Sequence, residues 1–151
     1  MNRVARWVPP VSLVLALVGL GASVYLTIGH FTSPDFLACG SGDTINCEVV
    51  TTSPQSRLLG IPVALLGLVW FAAMVPLCLP AAWNSENRLV HIARLLGTIA
   101  GVGFALWLVY AELLIIGAIC EWCTVAHVTA LGLFVIAVIT TPALLSREAR
   151  R

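Results

Sequence analysis

Charged side chains are scarce in this sequence, and lysine is absent from it. Only 10% of the 151 residues are charged, whereas 60% are hydrophobic. A typical soluble domain has roughly 25% charged and about 45–50% apolar residues. A chain this short keeps much of its surface exposed when it folds, so it cannot bury that much apolar surface in a core. The composition therefore excludes an ordinary soluble domain and indicates a membrane protein.

Basic clusters with interleaved aromatic residues are also lacking, which argues against a nucleic-acid partner. What the chain has instead is long apolar runs, and a bilayer crossing needs about 20 such residues. Continuous runs without two-residue alternation favour helices over strands, because a helix satisfies its own backbone in lipid. The sequence predicts an all-α integral membrane fold, a single domain 1–151. Its four-transmembrane-helix bundle has spans 8–30, 61–83, 91–119 and 123–145, and an exoplasmic loop 31–60.

The arginines predict the orientation of these spans. Seven of the eight fall before span 1, near the link between spans 2 and 3, or after span 4. An even number of spans places these regions on one face, which the positive-inside rule makes cytoplasmic. The opposite face carries mostly acidic residues. We therefore expect a multi-pass protein of the plasma (inner) membrane with both termini cytoplasmic. The basic and acidic residues concerned are Arg3, Arg6, Arg88, Arg94, Arg147, Arg150 and Arg151, against Asp35, Asp43, Glu48, Glu121 and Arg57.

The N-terminus allows a second interpretation. Its basic start, apolar run and small residues up to Ala22 loosely resemble a signal peptide. The apolar run continues from Tyr25 to Ile28, which favours an uncleaved helix. Spans 2 to 4 keep their orientation under either interpretation.

Four of the five cysteines fall on the predicted exoplasmic side. Cys39 and Cys47 lie in the long loop, and Cys120 and Cys123 form a C-x-x-C motif where span 4 begins. Helix N-termini favour thiolates, which are the species that exchange disulfides. This pattern predicts two redox-active pairs, one mobile and one fixed. Cys78 lies far away within span 2 and is expected to be a packed or lipid-facing thiol.

Two other interpretations of the four cysteines stay open. They can form two structural disulfides that only tie loops together. They can also supply four thiolates to zinc, although an oxidising exoplasmic face argues against a metal. We expect no metal.

These residues resemble the vitamin K epoxide reductase family in its bacterial form. The resemblance rests on the loop pair Cys39 and Cys47, Ser53 six residues later, residues 59–62 (Leu-Gly-Ile-Pro) opening span 2, and the C-x-x-C opening span 4. It covers most of the chain, and the combination of motifs is specific. The family implies a four-helix bundle that holds a quinone, such as menaquinone or ubiquinone, beneath the exoplasmic surface.

The resemblance also implies a role for each cysteine. Cys39 would exchange with a partner's dithiol, Cys47 would form a transient disulfide with Cys120, and Cys123 would be the thiolate nearest the quinone. Many bacterial members carry a fused thioredoxin-like domain, but this sequence ends a few residues beyond span 4. We therefore expect a separate exoplasmic thioredoxin-fold protein, of the kind that introduces disulfide bonds, as the partner.

Three polar residues are candidates for binding the quinone. Ser53 matches the family's loop serine. It also reads as an N-cap before Pro54, which predicts a short surface helix through Arg57. Glu112 lies about 12 Å along span 3 from Cys120, at a depth where an acid usually faces the bundle interior. His127 lies one turn after Cys123 on the same helix face. For each of the three, packing or capping alone is the alternative.

These inferences predict a thiol:quinone oxidoreductase that supports disulfide bond formation. One alternative is an enzyme that uses the same groups to recycle a quinone or its epoxide. His127 stands where vertebrate members often have tyrosine, so epoxide chemistry and inhibitor sensitivity do not transfer. The other alternative is a non-enzymatic membrane scaffold with two structural disulfides.

Overall fold

The computed structural model describes residues 4–33, 36–40, 42 and 44–148. Five residues used to predict the orientation, Arg3, Asp35, Asp43, Arg150 and Arg151, lie outside these ranges. The helices are α1 Val8–Thr32, α2 Cys47–Thr52, α3 Val63–Cys78, α4 Pro80–Trp83, α5 Arg88–Tyr110 and α6 Glu121–Glu148. A 3₁₀ turn, Pro54–Ser56, follows α2, and a π-helical segment, Ala111–Ile116, extends α5. Strands β1 Arg57–Leu58 and β2 Ile61–Pro62 pair antiparallel.

The predicted all-α membrane bundle is confirmed. Val8–Thr32, Arg88–Ile116 and Glu121–Ser146 are each long and apolar enough to cross a bilayer. The fourth apolar helix of the bundle is shorter, because α3 has 16 residues and is only about 24 Å long at the usual helical rise. Many large apolar side chains on these helices face outward, which suits lipid as the solvent. The backbone N–H and C=O groups pair within each helix, so they are not exposed to lipid.

The helices pack unequally, and this difference opens the bundle on one side. Helix α1 packs closely against both α3 and α6, and α5 packs closely against α6. Helices α3 and α5 touch far less. The bundle therefore has a gap between α3 and α5.

Glycines allow the close approaches. A Cβ on Gly19 of α1 would overlap the ring of Phe71 on α3, and a Cβ on Gly101 of α5 would overlap the indole of Trp70. The Trp70 Nε1 also donates a hydrogen bond of 2.9 Å to the Gly97 carbonyl. Gly97 and Gly101 lie four residues apart on α5, and small residues at this spacing allow helices to pack closely.

The second span is interrupted, which the sequence analysis did not predict. Leu79 has an extended backbone with ψ 147° between α3 and α4, because the residue before a proline avoids helical geometry and Pro80 has no N–H to donate. The Leu77 carbonyl is left without its helical donor and accepts 2.8 Å from the Arg94 Nε instead. The Arg94 guanidinium is 1% exposed and lies 3.6 Å from the centre of the Trp83 ring. The break is therefore held in place by a buried arginine.

The ends of the other spans lie close to their predicted positions. Asn87 caps α5, since its side chain accepts 2.9 Å from the Leu89 N–H. The π-helical segment ends at Gly117, whose φ of 73° turns the chain. Helix α6 begins at Glu121, two residues before the predicted start, so Cys123 lies in its first turn.

We expect Gly19→Ala to destabilise the bundle, because the added methyl overlaps the Phe71 ring. Overpacking of this kind costs about 1–3 kcal/mol. Gly21→Ala is the matched control on the same helix, since nothing lies within 4 Å of its Cβ position. Thermal unfolding in detergent should show a lower midpoint for Gly19→Ala only. Equal midpoints for the two variants would contradict the packing described here.

Candidate active site

The long loop is joined to the corner between α5 and α6 by backbone pairing. Ile45 and Ile119 form a parallel bridge. The Ile119 N–H donates 2.9 Å to the Thr44 carbonyl, and the Asn46 N–H donates 3.1 Å to the Ile119 carbonyl. Residues about 75 positions apart in the sequence are thereby held side by side. Cys47 directly follows Asn46, and Cys120 directly follows Ile119.

Asn46 then starts the helix that carries Cys47. Its side-chain oxygen accepts 3.1 Å from the Val49 N–H, which is the usual way an N-cap satisfies a free donor. Cys47 follows as the first residue of α2 and is only 2% exposed. It forms a disulfide with Cys39, with 6.2 Å between the Cα atoms. Cys39 is half-exposed, so the loop pair has one outer and one inner sulfur.

The second pair lies directly beneath the first. Cys120 and Cys123 are free thiols. Cys120 is 0% exposed and belongs to the same apolar cluster as Cys47, and Cys39 and Cys123 pack against that cluster. All four cysteines therefore meet at one end of the bundle. Cys78 is buried in a different cluster with Met74 and Phe71, as expected for a packed thiol.

Cys120 occupies the N-terminus of α6, and its neighbours favour the thiolate. The Cys123 thiol donates a hydrogen bond to its sulfur and lowers the pKa of Cys120 below the ordinary value, although burial opposes this effect. The Cys123 backbone N–H also donates to the Cys120 Sγ at 3.3 Å. This is the arrangement of an N-cap, with sulfur as the acceptor.

A cavity of about 340 Å³ lies beside the cysteines, between α3, α5, α6 and the 3₁₀ turn. Its walls are mainly apolar. Cys123 lines it, whereas Cys120 does not. The structure also brings together the three predicted quinone ligands, since Ser53, Glu112 and His127 all line this cavity.

Ser53 reaches the cavity without acting as a side-chain cap. Its hydroxyl donates 2.7 Å to the Val50 carbonyl, at the end of α2. The predicted short surface helix forms as one 3₁₀ turn, Pro54–Ser56, with Ser53 at its N-cap position, and it ends one residue before Arg57. Arg57 instead pairs with Pro62 in the two-stranded hairpin.

Glu112 and His127 face the cavity from different helices. Glu112 lies in the π-helical segment, is 5% exposed, and its carboxyl group faces the backbone N–H of Cys120. Such segments are frequent at functional sites. His127 is half-buried on α6. Within the described part of the chain its ring has no hydrogen-bond partner, so its nitrogens are available to a ligand in the cavity.

The sequence analysis missed further polar residues of the cavity. His30, Gln55 and Ser56 also line it. The position of His30 in the last turn of α1, at the level of the loop cysteines, is a signal that would have identified it. For the zinc alternative, the described residues contain no group of three or more His, Cys, Asp or Glu that could hold a metal ion.

Comparison with known families gives an independent result. The model of the vitamin K epoxide reductase family matches residues 10–138. The match runs from α1 into α6 and contains all four cysteines of the site and the three polar candidates.

The pKa of Cys120 can be tested with two variants of its partner. In a protein that retains only Cys120 and Cys123, we expect Cys123→Ala to raise the pKa of Cys120, because its main hydrogen-bond donor is lost. Cys123→Ser keeps an O–H donor and should raise it less. Thiolate absorbance near 240 nm against pH measures both values. An identical Cys120 pKa in the two variants would show that the side-chain hydrogen bond has no influence.

Proposed function

The chain belongs to the vitamin K epoxide reductase family, and we propose that it is a membrane thiol:quinone oxidoreductase that supports disulfide bond formation. Members of this family are membrane oxidoreductases of quinones and disulfides, and they generally work with thioredoxin-like partners. The proposal adds the electron path, its direction and a role for each residue in this chain.

One observation carries the proposal, which is the order of the four sulfurs. Cys39 is half-exposed, Cys47 is buried against the cluster that contains Cys120, and Cys123 lines the cavity. This order leads from the surface to the cavity. Two structural disulfides would need no such order, and they would not leave the second pair as free thiols.

The first exchange takes place at the surface. A thiolate of the partner's dithiol attacks the Cys39 sulfur and breaks the Cys39–Cys47 bond, and Cys47 leaves as a thiolate. The partner's second thiolate then attacks its own mixed-disulfide sulfur and releases Cys39. The partner is oxidised to a disulfide, and the loop pair has gained two electrons. A separate thioredoxin-fold protein is the proposed partner.

The second exchange takes place inside the protein. The Cys47 thiolate attacks Cys120 in an oxidised Cys120–Cys123 pair, and Cys123 leaves as a thiolate. Cys39 then attacks Cys47, which closes the loop disulfide and releases Cys120. This exchange would leave Cys39 bonded to Cys47 and Cys120 and Cys123 as thiols, which is the pairing that the structure has.

The cavity suits a quinone in size and polarity. Ligand pockets are mostly apolar with a few placed polar groups, and typical volumes begin near 300 Å³. A bound menaquinone or ubiquinone would accept two electrons and two protons. Cys123, as the cavity thiol, would deliver the electrons. His127 would donate a hydrogen bond to a quinone oxygen. Ser53, whose own proton goes to the Val50 carbonyl, would accept a hydrogen bond from the reduced ring, and Glu112 would hold a proton beside Cys120.

The same proposal fixes the orientation in the membrane. The cysteines face the exoplasmic side of the plasma (inner) membrane, where disulfides persist, and both termini are cytoplasmic. Two exposed arginines support this, since Arg6 precedes α1 and Arg88 opens α5. The N-terminal ends of both helices lie on the side opposite the loop, which the positive-inside rule makes cytoplasmic.

The internal exchange is tested with Cys39→Ala/Cys123→Ala, which leaves Cys47 and Cys120 without their own partners. We expect these two to form a stable disulfide, because they share one buried cluster. Mass spectrometry of peptides from non-reduced membranes identifies the bond. Adding Cys120→Ala is the control and should abolish it. The single variant Cys123→Ala should lower quinone reduction to the background rate, because it removes the thiol that lines the cavity.

One combination of results would contradict the relay. If Cys47 and Cys120 stay unlinked and the Cys123→Ala protein reduces quinone at the original rate, the relay is wrong and the scaffold alternative is favoured. Cys78→Ala provides a second control, since Cys78 lies outside this cluster and should not change the crosslink.

A further inference from the structure

The loop segment that carries Cys39 is held by side chains from two helices. Tyr25 on α1 binds it twice, since its hydroxyl donates 3.0 Å to the Phe36 carbonyl and accepts 2.9 Å from the Ala38 N–H. The Tyr25 ring also packs against Phe36, with 5.4 Å between the ring centres. These contacts fix the backbone just before Cys39.

The two residues between Cys120 and Cys123 bind the same segment. The Trp122 Nε1 donates 3.0 Å to the Ala38 carbonyl, and the Glu121 carboxylate accepts 3.3 Å from the Gly40 N–H. These bonds lie on either side of Cys39 and do not involve its sulfur, which is bonded to Cys47. The rings of Trp122 and Tyr25 contact each other at a tilt of 60°, with 4.7 Å between their centres. We call the three side chains that bind this segment, Tyr25, Glu121 and Trp122, the clasp.

Gly40 is part of this fit. A Cβ at Gly40 would lie 3.0 Å from the Glu121 Oε1, which is closer than ordinary contact. A methyl group at this position would therefore push the carboxylate away from the Gly40 N–H by a few tenths of an ångström. Gly42, two residues further on, has nothing within 4 Å of its Cβ position.

We propose that the clasp is a docking device, in which the middle residues of the C-x-x-C motif hold the loop pair over the C-x-x-C sulfurs. This rests on the proposed relay. A loop as long as residues 33–60 loses conformational freedom when it is fixed at one place, and the cost must be met by contacts. Holding two reacting groups in position raises their effective concentration. Glu121 and Trp122 are thus positioning residues, which act through Cys47 and Cys120 and transfer no electrons themselves.

The clasp is partly exposed to water, which suits contacts that must break when the Cys39 segment moves to an outside partner. Glu121 and Gly40 are exposed, and Trp122 is half-buried. A net intramolecular hydrogen bond in water contributes about 0.5–1.5 kcal/mol, which corresponds to about two- to ten-fold in an equilibrium. Contacts of this strength hold the loop over the corner and still allow Cys39 to move to an outside partner.

The experiment measures the effective concentration of Cys47 for Cys120. The parent protein is the full chain with Cys39→Ala/Cys123→Ala, equilibrated with mixtures of reduced and oxidised dithiothreitol. The fraction that carries the Cys47–Cys120 bond gives the effective concentration. We expect Trp122→Phe, Glu121→Ala and Gly40→Ala to lower it about two- to ten-fold each. Glu121→Gln, which keeps an acceptor for the Gly40 N–H, should restore most of it.

Matched controls separate docking from general damage. Trp107→Phe removes an exposed indole on α5, and Gly42→Ala adds an unopposed methyl to the loop; both should leave the effective concentration unchanged. The thermal unfolding midpoint of each variant is measured alongside, and in the clasp variants we expect it to stay near that of the parent.

Two results would overturn the proposal, and they are distinguishable. If the clasp variants keep the parent's effective concentration, or if they change it only in step with the unfolding midpoint, the clasp is ordinary packing and the relay stands. If the parent itself never forms the Cys47–Cys120 bond, the relay and the clasp fail together.

Discussion

The site depends on the backbone pairing of the loop with Ile119. Two hydrogen bonds, to Thr44 and from Asn46, join the loop to the corner between α5 and α6. Asn46 can cap α2 because this pairing fixes its backbone, and α2 in turn places Cys47 in the cluster with Cys120. Without the pairing, a long polar loop would have many positions available, and the two cysteine pairs would meet only by chance.

The membrane imposes the second constraint, and the cavity follows from it. Helices that satisfy their own backbone can separate in lipid without exposing polar groups. Helices α3 and α5 therefore tolerate a gap between them. Phe71 of α3 packs directly at Gly19 of α1, and the Trp70 indole reaches across from α3 to Gly101 of α5. A lipid-soluble ligand is suited to a cavity of this kind, because it needs apolar walls and few polar contacts.

The C-x-x-C motif combines chemistry and docking in four residues. Its outer residues provide the thiols, and hydrogen bonds at the start of α6 favour the thiolate of Cys120. Its inner residues, Glu121 and Trp122, bind the segment that carries Cys39. Because the link from Gly117 to Cys120 is so short, the same turn of chain contacts the loop, the second cysteine pair and the cavity.

The sequence by itself determined the apolar helices of the bundle and the position of the C-x-x-C motif at a helix start. These features are local, because hydropathy over about 20 residues decides a crossing and motif spacing needs no distant contact. Tertiary structure decided the rest. The break at Leu79 follows locally from Pro80, but the donor to the freed Leu77 carbonyl is Arg94 from another helix. The chain then pairs as a hairpin at Arg57, directly after the 3₁₀ turn. The roles of His30, Tyr25 and Glu121 arise only when α1, the loop and α6 meet, since contacts between distant residues leave no periodic pattern in the chain.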